Sequence, residues 1–361
     1  MIIGIIGSGQ LGYMMIITMK RYPFKFYVID REKGPAGYIA DKFFTTDEYK
    51  TFVDSCDHIT FEFEHVDEKT LEYASSSGKL RPDIKTVELK RDRSLEKDFL
   101  QKNGFPIAQY EYHEDFESAF RAAKRMGRAV IKTCRGGYDG KGQYFINENT
   151  DSLKCQDSGP FVVEKFINYD YEASIIAVRG SNGNFQFFDP SFNYNKNGIL
   201  IYNIAPLDGN NKMPEMAKKL MDKLGYIGVM GIEFYVTGNE ILINEYAPRV
   251  HNTGHHTLLG SSISQFEEHI LAVAGLPIQK PVLFRPSGIL NIIGTSIDDK
   301  IKKILEMGGT NIYWYHKEEI RIKRKMGHIN VFGDTFNDVN NKINTLMNLI
   351  YGNNLDNFIG L

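Results

Sequence analysis

The sequence predicts an α/β protein of two or three domains. Its first hundred residues alternate short β-rich runs with helical stretches, a glycine-dense loop joins two strands near its middle, and β-runs separated by polar turns dominate the rest of the chain. At 361 residues, 42% hydrophobic and 24% charged, it can bury separate cores. The net charge of −2, from 43 basic and 45 acidic residues, gives no global field for nucleic acid or an anionic membrane, so an anionic ligand needs a local site. Cys56, Cys134 and Cys155 lie far apart without Cys-x-x-Cys spacing, which argues against a disulfide framework or a zinc site and fits a reducing cytoplasm.

Each element has its own local pattern. The apolar run Ile2–Ile6 reads as a strand entering Gly7-Ser8-Gly9-Gln10-Leu11-Gly12, whose Gly-x-Gly-x-x-Gly spacing brings backbone amides and a helix N-terminus to a ligand; a helix comes next at 11–20. The uncharged stretch 1–19 has the length of a membrane anchor, yet the glycines in its middle and the lack of a basic start favour strand, turn and helix. Residues 26–29 and 59–63 give further strands and 67–75 a helix, so βαβ units and a parallel sheet are expected. Asp30, 18 residues past Gly12, would on spacing alone suit NAD. A helix at 91–103 should stop before Gly104-Phe105-Pro106. Strands at 129–133 and 144–146 flank RGGYDGKGQ in a small antiparallel module. A mixed sheet spans 161–236, with one amphipathic helix near 213–224. Residues 287–361 give a strand at 288–293, a helix at 298–307, further strands and a helix at 335–350, read as a third, smaller unit.

Several segments carry candidate chemistry. In the loop, Gly136, Gly137, Gly140 and Gly142 cost conformational entropy that a plain hairpin does not require. Successive amides can converge on an anion and Lys141 adds a mobile charge, so the loop reads as a phosphate cradle, with a flexible surface hairpin as the alternative. It is no Walker loop, because Gly142 follows Lys141 and a strand comes next. Lys132 is a second phosphate ligand. Glu164, Lys165, Phe166 and Ile167, where an apolar strand ends, suit a purine edge, and Glu172 suits ribose hydroxyls.

In GIEFYVTGNEILINEYAPR, strands at 232–236 and 241–245 flank Gly238-Asn239. A two-residue loop puts Glu233 opposite Asn244; a three-residue loop, 238–240, puts it opposite Glu245, and the latter is expected. Opposed carboxylates with Cβ atoms about 5 Å apart need a cation. Mg²⁺ suits, since phosphates and water complete its octahedron; the alternative is two strand glutamates tolerating each other in solvent. In APRVHNTGHHT, zinc on His251 and His255 is disfavoured by Gly254 and by the lack of an acidic base between them. A substrate loop fits better, with Arg249 gripping an anion bidentately and His251 and Asn252 directing hydrogen bonds. RIKRK, 321–325, alternates as a strand with Arg321, Lys323 and Lys325 on one face and Arg324 on the other; Glu62 and Glu64 likewise share one strand face.

Taken together, GSGQLGYM, TFEFEHV, KTCRGGYDGKGQ, VEKFINYDYE, INEYAPRVHNTGHHT, SISQFEEH and RKMGHINV resemble N5-carboxyaminoimidazole ribonucleotide synthetases, ATP-grasp ligases of purine biosynthesis. GGYDGKGQ with NE-x-APR-x-HN-x-GH makes the resemblance specific, and it runs in order over residues 3–331. It implies an ATP-grasp fold: a Rossmann-like pre-ATP-grasp domain at 1–104, a small lid at 105–168, and a C-terminal domain at 169–361 with the metal site and a small terminal subdomain from residue 287. The implied reaction joins bicarbonate to 5-aminoimidazole ribonucleotide with ATP and Mg²⁺, through carboxyphosphate.

The resemblance adds Arg93, Gln143, Asn195 and Asn244 to the ATP contacts and gives Glu233 and Glu245 the metal. It turns Tyr138 and Asp139 toward the aminoimidazole beside Lys141, and places Arg249, His251 and Asn252 where carboxyphosphate forms. Gln10, Leu11 and Glu62 or Glu64 would meet the ribonucleotide, with its phosphate gripped by Lys317 and Arg324 next to Lys325. A cytoplasmic homodimer without nucleic-acid or membrane partners is also implied. The chain departs from the family pattern at Tyr13 (commonly Arg), Cys134 (usually basic), Asn195 (often His) and Ile322-Lys323 (Pro-Gly). Competing readings are another ATP-grasp ligase, such as one joining formate to glycinamide ribonucleotide, an NAD-dependent oxidoreductase, and a non-catalytic nucleotide-binding protein. In the leading reading the first glycine turn is an anion site for the ribonucleotide and no nicotinamide is expected.

Overall fold

The computed structural model describes residues 1–137, 142–150, 152–209, 212–238 and 240–360. Strands β1 (Ile2–Ile6), β2 (Lys25–Asp30), β3 (Lys42–Thr45) and β4 (His58–Phe61) form a parallel sheet in the order β3-β2-β1-β4. Ile3, Ile5 and Ile6 of the central strand are all buried, as a strand covered on both faces requires. Strands β5 (Tyr110–His113), β6 (Ala129–Thr133), β7 (Gln143–Ile146) and β8 (Phe161–Lys165) make an antiparallel sheet in the order β5-β8-β6-β7.

The third sheet is built from β9 (Tyr171–Arg179), β10 (Phe185–Phe187), β11 (Ser191–Lys196), β12 (Ile199–Ala205), β13 (Gly228–Thr237), β14 (Glu240–Ala247), β15 (Ser287–Ile293), β16 (Thr310–Trp314) and β17 (Lys325–Phe332). Its order is β14-β13-β9-β11-β12-β15-β17-β16, with β10 on β9. The strands after residue 287 therefore extend this sheet through the pairing of β12 with β15.

The parallel sheet is locked to the large sheet by a shared core. Met14, Met15 and Ile16 of the helix Gln10–Met19 join Phe266 and Ile270 of the helix Gln265–Val273, all fully buried. Burial of each such side chain stabilises by about 1.5–3 kcal/mol. His269 bridges the same seam: its Nδ1 accepts the Val229 N–H at 3.1 Å and its Nε2 lies 2.8 Å from Thr60 Oγ1. Burial lowers its pKa to about 3, which keeps the ring neutral. This packing sets the first glycine turn beside the loop after β14. Among the described residues no helix is long and apolar enough to cross a membrane.

Four local expectations are corrected. The helix expected at 91–103 is two, Ile84–Arg91 and Arg93–Lys102; Asp92 is extended (φ −130°, ψ 112°), and its carboxylate caps the second helix by accepting the Ser94 N–H at 3.0 Å. The first sheet's β4 stops at Phe61, so Glu62 and Glu64 lie beyond the strand. In the 321–325 run only Lys325 is in a strand; the preceding residues turn, with Lys323 at φ 68° and its N–H donated to the Phe358 carbonyl at 2.9 Å. In the β13–β14 hairpin Thr237 pairs with Glu240, so two residues connect the strands and not three. Glu233 still faces Glu245, because a bulge lets Phe234 pair with Ile243 and leaves Asn244 as the extra residue.

Candidate active site

One cleft of ≈ 710 Å³ lies where the three sheets meet, and the described candidates line it, Gly142 excepted. Gly142 serves the loop differently: at φ +66° a Cβ would come within 2.3 Å of Thr133 Oγ1, so only glycine fits there. Tyr138, Asp139, Gly140 and Lys141 lie outside the described residues.

One wall carries surplus positive charge. Lys132 on β6 and Lys97 on the helix Arg93–Lys102 converge on Glu164 of β8, with Nζ to carboxylate oxygen distances of 2.9 and 3.1 Å. The two lysines hold the Glu164 carboxyl down to about pKa 2. All three are buried; burial first, then Lys97 and Arg93, lower the Lys132 pKa against the pull of Glu164, and an anion in the cleft would favour both lysines as cations. Beside them Arg93 Nη2 donates to the Gly137 carbonyl at 3.0 Å, fixing the start of the glycine loop. Gly136, Gly137 and Gln143 line the cleft next to it. Cys134, at the loop's mouth, is buried and its thiol is pushed up to about 11 by burial, which leaves it unreactive.

The run 164–167, from the end of β8 onward, is only partly free for a purine edge. The Lys165 N–H donates to the Gln109 carbonyl at 2.8 Å and the Phe166 N–H to the Arg128 carbonyl at 2.9 Å, so neither amide is an open donor and Ile167 is the position left in that run. Glu172 on β9 accepts from Tyr169 Oη at 2.8 Å and from Asn195 Nδ2 at 2.7 Å. Asn195 thus orients the Glu172 carboxylate.

Opposite lies the carboxylate pair. Burial and the neighbouring charges of Glu245 and Glu172 raise Glu233 to about 8, whereas Lys90, 3.1 Å from Glu245, and nearby Arg93 hold Glu245 well below the carboxylate range. Lys90 also pairs with buried Glu96 at 3.0 Å. Among the described residues no group of three or more His, Cys, Asp or Glu is placed to hold a metal. Two facing carboxylates, one of them disfavoured as an anion, fit a Mg²⁺ that takes its remaining ligands from phosphates and water. Asn244, bulged between the strands, presents its carbonyl to Lys97 Nζ at 3.1 Å.

The far wall narrows one expectation and corrects another. Arg249 commits its Nε to Glu64, at 3.0 and 3.1 Å, and one Nη1 hydrogen to the Val250 carbonyl, so the Nε edge of the guanidinium is taken and only its Nη1–Nη2 end is left for an anion. Glu62 and Glu64, expected on one strand face, have separate tasks. The Glu62 carboxylate accepts the Gly12 N–H at 2.8 Å and the Gly9 N–H, occupying the anion position of the glycine turn from inside. Ser8 N–H is held by Asp30 at 2.8 Å. A dinucleotide pyrophosphate would have to displace Glu62, so the turn's amides serve an internal carboxylate while Gln10 and Leu11 still face the cleft.

His251 is half-buried and its pKa is lowered to about 3, by desolvation first and then by Arg249, so it is a neutral imidazole, with Nδ1 2.9 Å from Thr253 Oγ1. Asn252 exchanges amide hydrogen bonds with Asn291 at 2.7 and 3.1 Å. His255 and His256 are buried, His255 being bonded through Nδ1 to Gln265. Lys317 Nζ donates to the Lys325 carbonyl at 2.7 Å, and Arg324 Nη1 to the Glu319 carbonyl at 3.0 Å. Tyr13 packs edge-on against His316, 5.7 Å between centroids, tying the first helix to that segment.

Sequence reasoning missed Lys90, Lys97 and Gln265. The two lysines sit in a charge-rich stretch that reads as a solvated helix face. Gln265 accepts the His251 N–H at 2.9 Å and donates to the His251 carbonyl at 2.6 Å, a pairing no spacing signals.

Three family models match the chain: the ribonucleotide synthetase preATP-grasp domain over residues 1–91, the ATP-grasp domain over 98–266, and the phosphoribosylaminoimidazole carboxylase C-terminal domain over 287–342. The N5-carboxyaminoimidazole ribonucleotide synthase of Saccharolobus solfataricus is 47% identical over 360 residues, 98% of this chain and 97% of that one. A crystal structure of the phosphoribosylaminoimidazole carboxylase ATPase subunit from Aquifex aeolicus, 37% identical, superposes with a TM-score of 0.85 over 97% of this chain and 100% of that one. The N5-carboxyaminoimidazole synthase of Aspergillus clavatus, solved with ADP and 5-aminoimidazole ribonucleotide, is 26% identical with a TM-score of 0.87, covering 97% and 98%.

Proposed function

The chain belongs to the N5-carboxyaminoimidazole ribonucleotide synthase family, ATP-grasp ligases of purine biosynthesis, and from that premise we propose how its cleft divides the work. The overall reaction takes ATP, bicarbonate and 5-aminoimidazole ribonucleotide to N5-carboxyaminoimidazole ribonucleotide, ADP and phosphate. A bicarbonate oxygen attacks the γ-phosphorus and ADP leaves, giving carboxyphosphate. The exocyclic amine then forms the N–C bond at the carboxyl carbon, directly or through released CO₂; the C–O bond to phosphate breaks and the amine gives up a proton.

Phosphoryl transfer asks the protein mainly for positioning and charge. Lys132 and Lys97, sharing Glu164, supply the cationic wall for the phosphates, with Arg93 fixing the glycine loop. Glu172, oriented by Asn195 and Tyr169, takes the ribose, and the adenine edge lies along 164–167. Glu233 and Glu245 would hold Mg²⁺, which neutralises charge on the phosphate oxygens when bound. Neutral His251, with Asn252 and Arg249, lines the junction of the two halves and can exchange hydrogen bonds there without adding charge. Gln10, Leu11 and the Glu62–Glu64 segment face the ribonucleotide, whose phosphate is gripped by Lys317, Arg324 and Lys325. Tyr138, Asp139 and Lys141, outside the described residues, are assigned to the aminoimidazole and the acyl phosphate on the family resemblance alone.

The observation that carries this reading is a single cleft with a phosphate-ready cationic wall beside a carboxylate pair and a second basic cluster at Lys317, Arg324 and Lys325. Residues 1–104, 105–168 and 169–361 act as pre-ATP-grasp, lid and C-terminal domains, the last with a terminal subdomain from residue 287. We assign the chain to the cytoplasm as a homodimer; a solution mass of 41.2 kDa, that of one chain, would contradict the pairing. With ¹³C-bicarbonate, ATP and Mg²⁺, the ribonucleotide should gain a labelled N-carboxylate resonance. Incorporation without ATP, or none with it, would overturn the proposal.

A further inference from the structure

The turn carrying Arg324 is shaped from behind. Lys323 holds the left-handed φ of 68°, which disfavours any residue with a Cβ, and its N–H is bonded to the Phe358 carbonyl at 2.9 Å. Arg324 is pinned on both sides, its N–H donated to the Arg321 carbonyl at 3.0 Å and its carbonyl accepting the Gly294 N–H at 2.9 Å. At Gly294 a Cβ would lie 3.0 Å from the same Phe358 oxygen, so three chain segments converge there. Phe358 belongs to the short helix Leu355–Ile359, beyond the residues matched by the family models. That helix is seated by fully buried Ile359 and by the Phe358 ring, 5.4 Å from that of Tyr351.

We propose that the helix Leu355–Ile359 is a positioning strut for the substrate's phosphate grip: docked, it holds Lys323 in its left-handed conformation and so sets the approach of Arg324 to the cleft. This rests on the assignment of Arg324 to the ribonucleotide phosphate. The helix also reaches the nucleotide side through an ion pair of Asp356 with Lys196, next to Asn195. That pair is exposed, and exposed pairs contribute little, whereas the Phe358 contact is a backbone bond backed by a buried side chain. The strut therefore acts on ribonucleotide binding and leaves ATP binding alone.

The test is Ile359→Asp, which places a charge at a fully buried position, compared with Arg324→Ala. The expected result is a rise of roughly tenfold or more in KM for 5-aminoimidazole ribonucleotide, with KM for ATP within about twofold and faster amide exchange at Lys323. Equal rises in both KM values, or faster exchange with an unchanged ribonucleotide KM, would overturn the strut. If Arg324→Ala raises the ribonucleotide KM and Ile359→Asp does not, the strut alone fails. If Arg324→Ala is also silent, the phosphate assignment fails and takes the strut with it. Should Ile359→Asp not fold, the unmodified protein answers: added ribonucleotide should slow exchange across 321–325 and 355–360 together, and protection confined to 321–325 would overturn the proposal.

Discussion

Glu233 stands directly opposite Glu245 across the β13–β14 hairpin, and their charge states diverge: Glu233 is raised to about 8 while Glu245, 3.1 Å from Lys90, stays ionised. On the proposed reading this pair takes Mg²⁺: Lys90 already balances Glu245, while burial and the like charge of Glu245 disfavour the Glu233 anion.

Glu245→Gln should therefore lower Mg²⁺-dependent turnover by about two orders of magnitude or more, the scale of losing one stabiliser of developing charge, with the circular dichroism spectrum unchanged. Near-normal turnover would remove the metal assignment.

Glu164 between its two lysines governs an acid-side prediction. Its folded pKa, about 2, is below the ordinary carboxylate value of 4.5, so its contribution to stability is full above that value and is lost as pH falls toward 2. Glu164→Gln should cost about 3–5 kcal/mol at neutral pH, because Lys132 and Lys97 lose their buried counter-charge. It should also flatten the stability profile between pH 4.5 and 2 in denaturant titrations. An unchanged profile would mean that the triad is not ion-paired in solution.

The Glu62 carboxylate on the Gly9 and Gly12 amides predicts that NADH shifts neither the intrinsic fluorescence nor the melting temperature, while ATP with Mg²⁺ raises the latter. Glu62→Ala should raise KM for the ribonucleotide by roughly tenfold and leave that for ATP within about twofold. Saturable NADH binding to the unmodified protein would contradict the occupied turn.

Much of this was legible because it depends on local pattern. The Ile2–Ile6 strand and the 129–146 module arise from periodicity and turn residues, and the structure places them as expected, whereas the glycine turn forms but gives its Gly9 and Gly12 amides to Glu62. The Glu233–Glu245 pairing was reached through the wrong connection: alternation cannot signal a bulge at Asn244, and the loop is shorter than expected. Contacts between distant segments carry no spacing signal, so the meeting of Lys97 with Glu164, and of Arg249 with Glu64 185 residues earlier, was invisible until the sheets were assembled. The 321–325 run misled for a related reason: its alternating charges mimic a strand, while the conformation is set by Phe358 and Gly294.

The most direct test is ADP release by the protein with ATP, Mg²⁺ and bicarbonate, with and without 5-aminoimidazole ribonucleotide. A cleft that joins a phosphate wall to a ribonucleotide grip predicts release that the ribonucleotide strongly stimulates, with one carboxylated product formed per ADP. Release indifferent to the ribonucleotide would contradict it and leave only a nucleotide-cleaving ATP-grasp fold.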